Sequence, residues 1–236
     1  MKIGVKSYDY SRELEYFRDK VDFFEIMAIE GRDYSGFKDF KMPFIIHSQH
    51  AVFGINNADK NLHQKNLSSF NYAKKVADML KAKKIVVHPG DIKNETCSKK
   101  NSVDFIKSLK DKRVVIENMP RENSLCNIPE QLKEFVSKTE CGICFDVNHA
   151  ILIAQNLKKD YKDFITEFIK LKPNHFHLGG HKFIGIDHLC FADSELDLKE
   201  ILSLLPKDAE ITLETSKDIE KTKEDLRIIR EVLKEI

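Results

Sequence analysis

Residues 142–149 read GICFDVNH, an apolar run that stops on Asp146 and is followed at once by Asn148 and His149. Before the aspartate the residues are those of a buried strand, and the polar group arrives where the strand must end. The same construction recurs along the chain. FIIHS (44–48) carries His47, KIVVHPG (84–90) ends on His88, and RVVIENM (113–119) ends on Glu117. HFHLGG (175–180) carries His177, and ITLET (211–215) carries Glu214. An isolated buried charge costs several kcal/mol or more unless something compensates it. Repetition at equivalent strand ends therefore implies a shared focus, and divalent cations are the partners that accept His, Asp and Glu together.

Adding KIGVK (2–6) and FFEIM (23–27), the chain divides into eight strand–helix units. Helical patterns lie between the strands: Ser11 reads as an N-cap for the first, and 61–82, 101–110, 129–138, 158–171, 197–204 and 218–235 carry apolar stripes. The second unit, EGRDYSGFKDF, has room for little more than one helical turn. Strict βα alternation implies a parallel sheet covered by helices. Eight units imply one closed (β/α)8 TIM barrel over residues 1–236, with its active site at the C-terminal ends of the strands. An open doubly wound sheet is the alternative, but the glycine-rich phosphate fingerprint is missing. Alternation puts Gly142, Cys144 and Asp146 on the inner face and Ile143 and Phe145 against the helices, with Glu117, His177 and Glu214 also inward.

The bulk properties exclude little. With 39 Lys+Arg against 38 Asp+Glu the net charge is +1, which gives no global attraction to nucleic acid or an anionic membrane. A local basic rim remains, because Lys93, Lys99, Lys100, Arg121 and Lys182 follow strands, whereas the KAKK run at 81–84 precedes one and belongs to the opposite face. There is no apolar stretch of bilayer-spanning length and no secretory h-region at the start, so a cytoplasmic location is expected. Five scattered cysteines argue against a disulfide framework. Cys141 and Cys144 form C-x-x-C inside a strand, where packing is the better reading than redox or zinc.

Glu117, Asp146, Glu214 and His177 make a mixed oxygen and nitrogen site suited to Zn²⁺ or Mn²⁺. His47 and His88 complete a second site with Glu117 as bridge, and His149, His188 and Asp187 a third, so one to three ions are expected. The competing interpretation is a metal-free barrel whose mouth is plugged by ion pairs. Glu25 ends the second strand and, with Lys182, is an expected substrate contact; His175 is expected to be an inward, supporting histidine.

The order His47, HPG at 88–90, IEN at 116–118, FDVNH at 145–149, HL at 177–178, DHL at 187–189 and LET at 213–215 resembles the xylose-isomerase-like TIM-barrel superfamily over nearly the whole chain. That superfamily joins endonuclease IV-type AP endonucleases to sugar isomerases and epimerases. The resemblance implies Glu117, Asp146, His177 and Glu214 as the core ligands, shared with keto-sugar epimerases. It implies His47, His88, His149 and His188 as the further ligands of the endonuclease branch's trinuclear zinc site. The family's D-x-H before the last loop is here Ile186–Asp187–His188, so Asp187 would have to substitute, and the glycine-rich stretch after it is replaced by 191–194, FADS. The near-neutral charge and a brief, Trp-free second connection favour a small-molecule, sugar-type isomerase or epimerase, with Glu117 and Glu214 as the acid–base pair. An AP endonuclease cleaving DNA at abasic sites is the alternative.

Overall fold

The computed structural model describes residues 1–7, 12–215 and 218–236; the expected cap Ser11 lies outside them. The strands β1 (Lys2–Ser7), β2 (Phe23–Ala28), β3 (Phe44–Ser48), β4 (Ile85–Val87), β5 (Val114–Glu117), β6 (Gly142–Asp146), β7 (His175–Leu178) and β10 (Glu210–Leu213) close into a barrel. Every neighbouring pair is parallel, and β10 seals the ring against β1. Helices α1 (Arg12–Phe17), α2 (His63–Met79), α3 (Lys99–Ser108), α4 (Pro129–Thr139), α6 (Tyr161–Ile169), α7 (Leu198–Leu204) and α8 (Ile219–Leu233) occupy the expected connections. The second connection contains only a 3-10 turn, Ser35–Phe37.

Two elements depart from expectation. Helix α5 (Val147–Asn156) follows β6 without a loop, its first turn capped by Asp146, whose Oδ1 accepts from the His149 backbone N–H. Most of α5 is buried, so it lacks the one-sided stripe by which a surface helix is found. After β7 the chain forms an antiparallel hairpin, β8 (Gly180–Lys182) with β9 (Ile186–Leu189), which stands outside the barrel.

Alternation along each strand sorts the side chains as expected. Ile143 and Phe145 face the helix layer, where Phe145 stacks on Phe168 at 4.9 Å and meets Phe176 edge-on. Cys144 turns inward and joins Phe23, Ile45, Val86 and Val115 in a small apolar cluster inside the barrel. Its thiol pKa is pushed up to about 12 by burial, so it serves as an uncharged packing group. Above this cluster the inward positions become polar, and this level holds the candidate site.

Gly4 lets the barrel floor close. A Cβ there would stand 2.3 Å from Cε2 of Phe23, whose ring fills the space beside it. Gly4→Ala is therefore expected to cost about 1–3 kcal/mol, the usual range for overpacking a core. Chemical denaturation should show this as a lowered midpoint; an unchanged midpoint would mean that the floor is loosely packed.

Candidate metal centre

Glu117 ends β5 at the middle of the barrel mouth and is almost fully buried. Its Oε2 faces Nε2 of both His47 (3.2 Å) and His88 (2.9 Å). Its Oε1 faces Nδ1 of His177 (3.4 Å) and of His149 (3.5 Å). Burial opposes the charged carboxylate, yet His88 and His177 hold its pKa well below the usual range. Asp146 is a second hub, with Oδ2 3.3 Å from His188 Nε2, 3.7 Å from His149 Nδ1 and 3.8 Å from His177 Nδ1. Glu214 brings Oε2 to 3.1 Å from His177 Nδ1, while its Oε1 accepts from Lys6 Nζ at 2.7 Å.

Three sets suited to an ion result, with ligand atoms mutually within 4.8 Å: His47–His88–Glu117, Glu117–Asp146–His177–Glu214, and Asp146–His149–His188. Glu117 joins the first to the second and Asp146 the second to the third. A further set, Cys144–His175–His177, lies inside the barrel beneath them.

Imidazole tautomers test whether cations fit. Nδ1 of His47 lies 2.7 Å from the Ser48 carbonyl oxygen, which can only accept, so Nδ1 carries the hydrogen. Burial lowers the His47 pKa and keeps the ring neutral, leaving Nε2 with a lone pair aimed at the Glu117 carboxylate. Two acceptors facing each other at this distance repel unless a cation lies between them. His149 places Nδ1 2.8 Å from the Asn118 carbonyl, which can only accept, so Nδ1 carries a hydrogen and Nε2 is the nitrogen left for an ion. His177 spends Nε2–H on Glu25, and its buried Nδ1 has no hydrogen-bond partner among the described residues although three carboxylates surround it. The donor set fits divalent ions of the zinc or manganese type.

Other expected site residues are placed differently. Asp187 does not enter a ligand set: its Oδ2 pairs with the outer nitrogen of His188, Nδ1, at 3.2 Å. Hairpin alternation sends Asp187 and His188 to opposite faces, and His188 turns inward from a left-handed backbone (φ 53°). Ile186, at the position where the family pattern has an acid, is 44% exposed. Glu25 is fully buried below the ligands and not at the mouth, where a substrate contact was expected. Lys182 ends β8, the first strand of the hairpin, half-buried. His175 is fully buried against Glu25, as a supporting residue.

Two asparagines beside the ligands were not assigned roles from sequence. Asn118 donates from Nδ2 to the Asp146 carbonyl and accepts the Asp146 N–H, tying β5 to β6. Asn148 donates to the Gly179 and Gly180 carbonyls and accepts the Gly179 N–H, tying α5 to the end of β7. The only signal was an amide placed one or two residues after each hub carboxylate. The sequence around His50 carries no signal of a role either; its ring stacks on His88 at 4.7 Å, and burial pushes its pKa down to about 2.

The mouth opens through a cleft of about 170 Å³ lined by His50, Val52, His88, Met119, Arg121 and His149 among others. Lys93 and Arg121 stand 3.4 and 3.8 Å from buried Asp91 at its margin, whereas Lys99 and Lys100 pair with Glu134 and Asp104 on the helices. Lys81, Lys83 and Lys84 line a cleft at the other end of the barrel, with Phe23 and Phe44 at the strand starts.

The family model described as xylose isomerase-like TIM barrel matches residues 35–232. The chain belongs to that family. No curated protein matches it in sequence. Among solved structures, similar barrels include a D-tagatose 3-epimerase-like protein, 23% identical over 99% of this chain and 97% of that one, with a TM-score of 0.78. Endonuclease IV from Thermus thermophilus is 18% identical over 100% of both chains, also at 0.78. The IolI protein with a bound zinc atom is 17% identical over 99% and 96%, at 0.70. At these identities the likeness is one of fold. Among the described residues no helix is long and apolar enough to cross a membrane.

Proposed function

We propose that this family member is a divalent-metal-dependent phosphodiesterase acting on nucleic acid, of the endonuclease IV kind, with Glu117 and Asp146 as bridging ligands. The carrying observation is that both oxygens of Glu117 are engaged by ligand-type histidines. An isomerase needs Glu117 and Glu214 poised on either side of a substrate as proton carriers. Here Glu117 is held between His47, His88, His149 and His177, and Glu214 between Lys6 and His177. Four histidines beyond the single-ion set of Glu117, Asp146, His177 and Glu214 also favour a cluster.

His47 and His88 would hold one ion with Glu117; Glu117, Asp146, His177 and Glu214 a second; Asp146, His149 and His188 a third. Divalent ions there would supply Lewis acidity toward phosphoryl oxygens and an acidified water. The protein's own groups fix the ligands: Asn118 and Asn148 lock the strand ends, Asp187 orients His188, and burial excludes bulk water from Glu117 and Asp146. Arg121 and Lys93 give the cleft a positive margin suited to a flanking phosphate.

A keto-sugar isomerase or epimerase is the second reading, favoured by the small volume of the mouth cleft. One experiment separates the two. Protein loaded with Zn²⁺ or Mn²⁺ is incubated with duplex DNA carrying one abasic site, and in parallel with keto-sugars. Expected is incision that a chelator abolishes and that weakens steeply with salt. Interconversion of keto-sugars without incision would replace this reading by the second.

A further inference from the structure

Beneath the ligands lies a buried polar layer that the proposed chemistry does not use. Glu25 Oε2 accepts from His175 Nε2 (2.9 Å), His177 Nε2 (2.9 Å) and Thr212 Oγ1 (2.8 Å). Glu25 Oε1 lies 3.7 Å from Lys6 Nζ, which also pairs with Glu214. The four residues Lys6, Glu25, His177 and Glu214 thus close a ring. His177 meets Glu25 through Nε2 and Glu214 through Nδ1, and Lys6 bridges the two carboxylates. Side chains of Lys6, Glu25, His175 and His177 are at most 3% exposed.

A carboxylate buried this deeply is costly unless it is charge-compensated and fully hydrogen-bonded. Its position gives it one consequence for the layer above. An imidazole binds a metal through one nitrogen, and the bond made by the other decides which one. The carboxylate can only accept, so it requires the hydrogen on Nε2 and makes Nδ1, which faces Glu117, Asp146 and Glu214, the nitrogen available to an ion.

We infer that Glu25 is a positioning residue for metal binding: it fixes His177 in the tautomer and orientation that present Nδ1 to the three carboxylates, and Lys6, His175 and Thr212 hold Glu25 in place. The inference rests on the metal reading and holds for either reaction class. Glu25 touches no substrate in this role, which moves it from the mouth to the support of the centre.

The test measures binding, with no need of a substrate. Zinc affinity is determined by chelator competition for wild type, Glu25→Gln and Thr212→Val, and the protonation of the His177 nitrogens in the zinc-loaded protein is read from long-range ¹H–¹⁵N spectra. Wild type should show Nε2–H with Nδ1 metal-bound. Glu25→Gln should weaken zinc binding by about 10- to 100-fold, the range for lost outer partners of metal-bound histidines. Thr212→Val, which preserves shape and removes one donor to Glu25, should produce a smaller loss in the same direction and keeps the test available if Glu25→Gln does not fold. Variants that lose thermal stability without zinc, yet bind zinc as tightly as wild type with an unchanged His177 pattern, would assign Glu25 a structural role and overturn the inference. A wild type that binds no ion would remove the metal reading and this inference together, whereas tight binding by all variants removes only the latter.

Discussion

Glu117→Ala is expected to empty two ligand sets at once, because one carboxylate serves His47 and His88 on one side and the Asp146–His177–Glu214 group on the other. The variant should retain at most the Asp146–His149–His188 position and lose any metal-dependent activity. The loss in total affinity should exceed the roughly 10- to 100-fold typical of outer-shell changes, since a direct bridge is removed. Metal content of protein purified without chelator, together with anomalous scattering from crystals, counts the ions. His149→Ala is the informative contrast, because it should remove one position and spare the other two. If Glu117→Ala held as many ions as wild type, Glu117 would not be a bridge.

Loading with metal should raise thermal stability more than any single surface substitution. A ligand at 1,000 times its Kd stabilises by about 4 kcal/mol, and for a chain of this size each kcal/mol shifts Tm by about 2–4 °C. Zinc at that excess is therefore expected to raise Tm by roughly 8–16 °C over the chelated protein. Uptake should also release protons. Burial opposes charging His177 and His188, but Glu25 and Glu117 raise the pKa of the first, and Asp146 and Asp187 that of the second, well above the usual value. Without metal these rings hold protons near neutrality that an ion must displace, so affinity falls as pH falls. Calorimetry in buffers of different ionisation enthalpy measures the released protons. A chelator-insensitive Tm and no proton release would support a mouth closed by ion pairs alone.

Much of this was legible in sequence because a parallel barrel writes its inner face at every second strand residue. Glu117, Asp146 and His177 could each be assigned inward by parity with Val115, Cys144 and His175. Parity gives direction and not depth, however. Glu25 shares the inner face of β2 with Phe23, yet which level of the barrel it reaches depends on strand stagger, and it lies below the mouth. Lys6 could have been found the same way, two residues beyond Gly4 on the inner face, but a lysine in KIGVK reads as a strand end in solvent. The β8–β9 hairpin escaped because its strands are three and four residues long and glycine-rich at the start. Its geometry decided the fate of Asp187, since hairpin register and not spacing from the ligand motif sets which side chain faces inward.

The ring of Lys6, Glu25, His177 and Glu214 spans the seam where β1 meets β10. Lys6 comes from β1 and Glu214 from just past β10, 208 positions apart in sequence. A chain still emerging could present His47, His88 and Glu117, but not the set completed by Glu214. Contacts so distant in sequence form late and slowly. Capture of an ion by the central set therefore requires that the ring of strands has shut, and without metal the closed barrel loses that stabilisation relative to open forms.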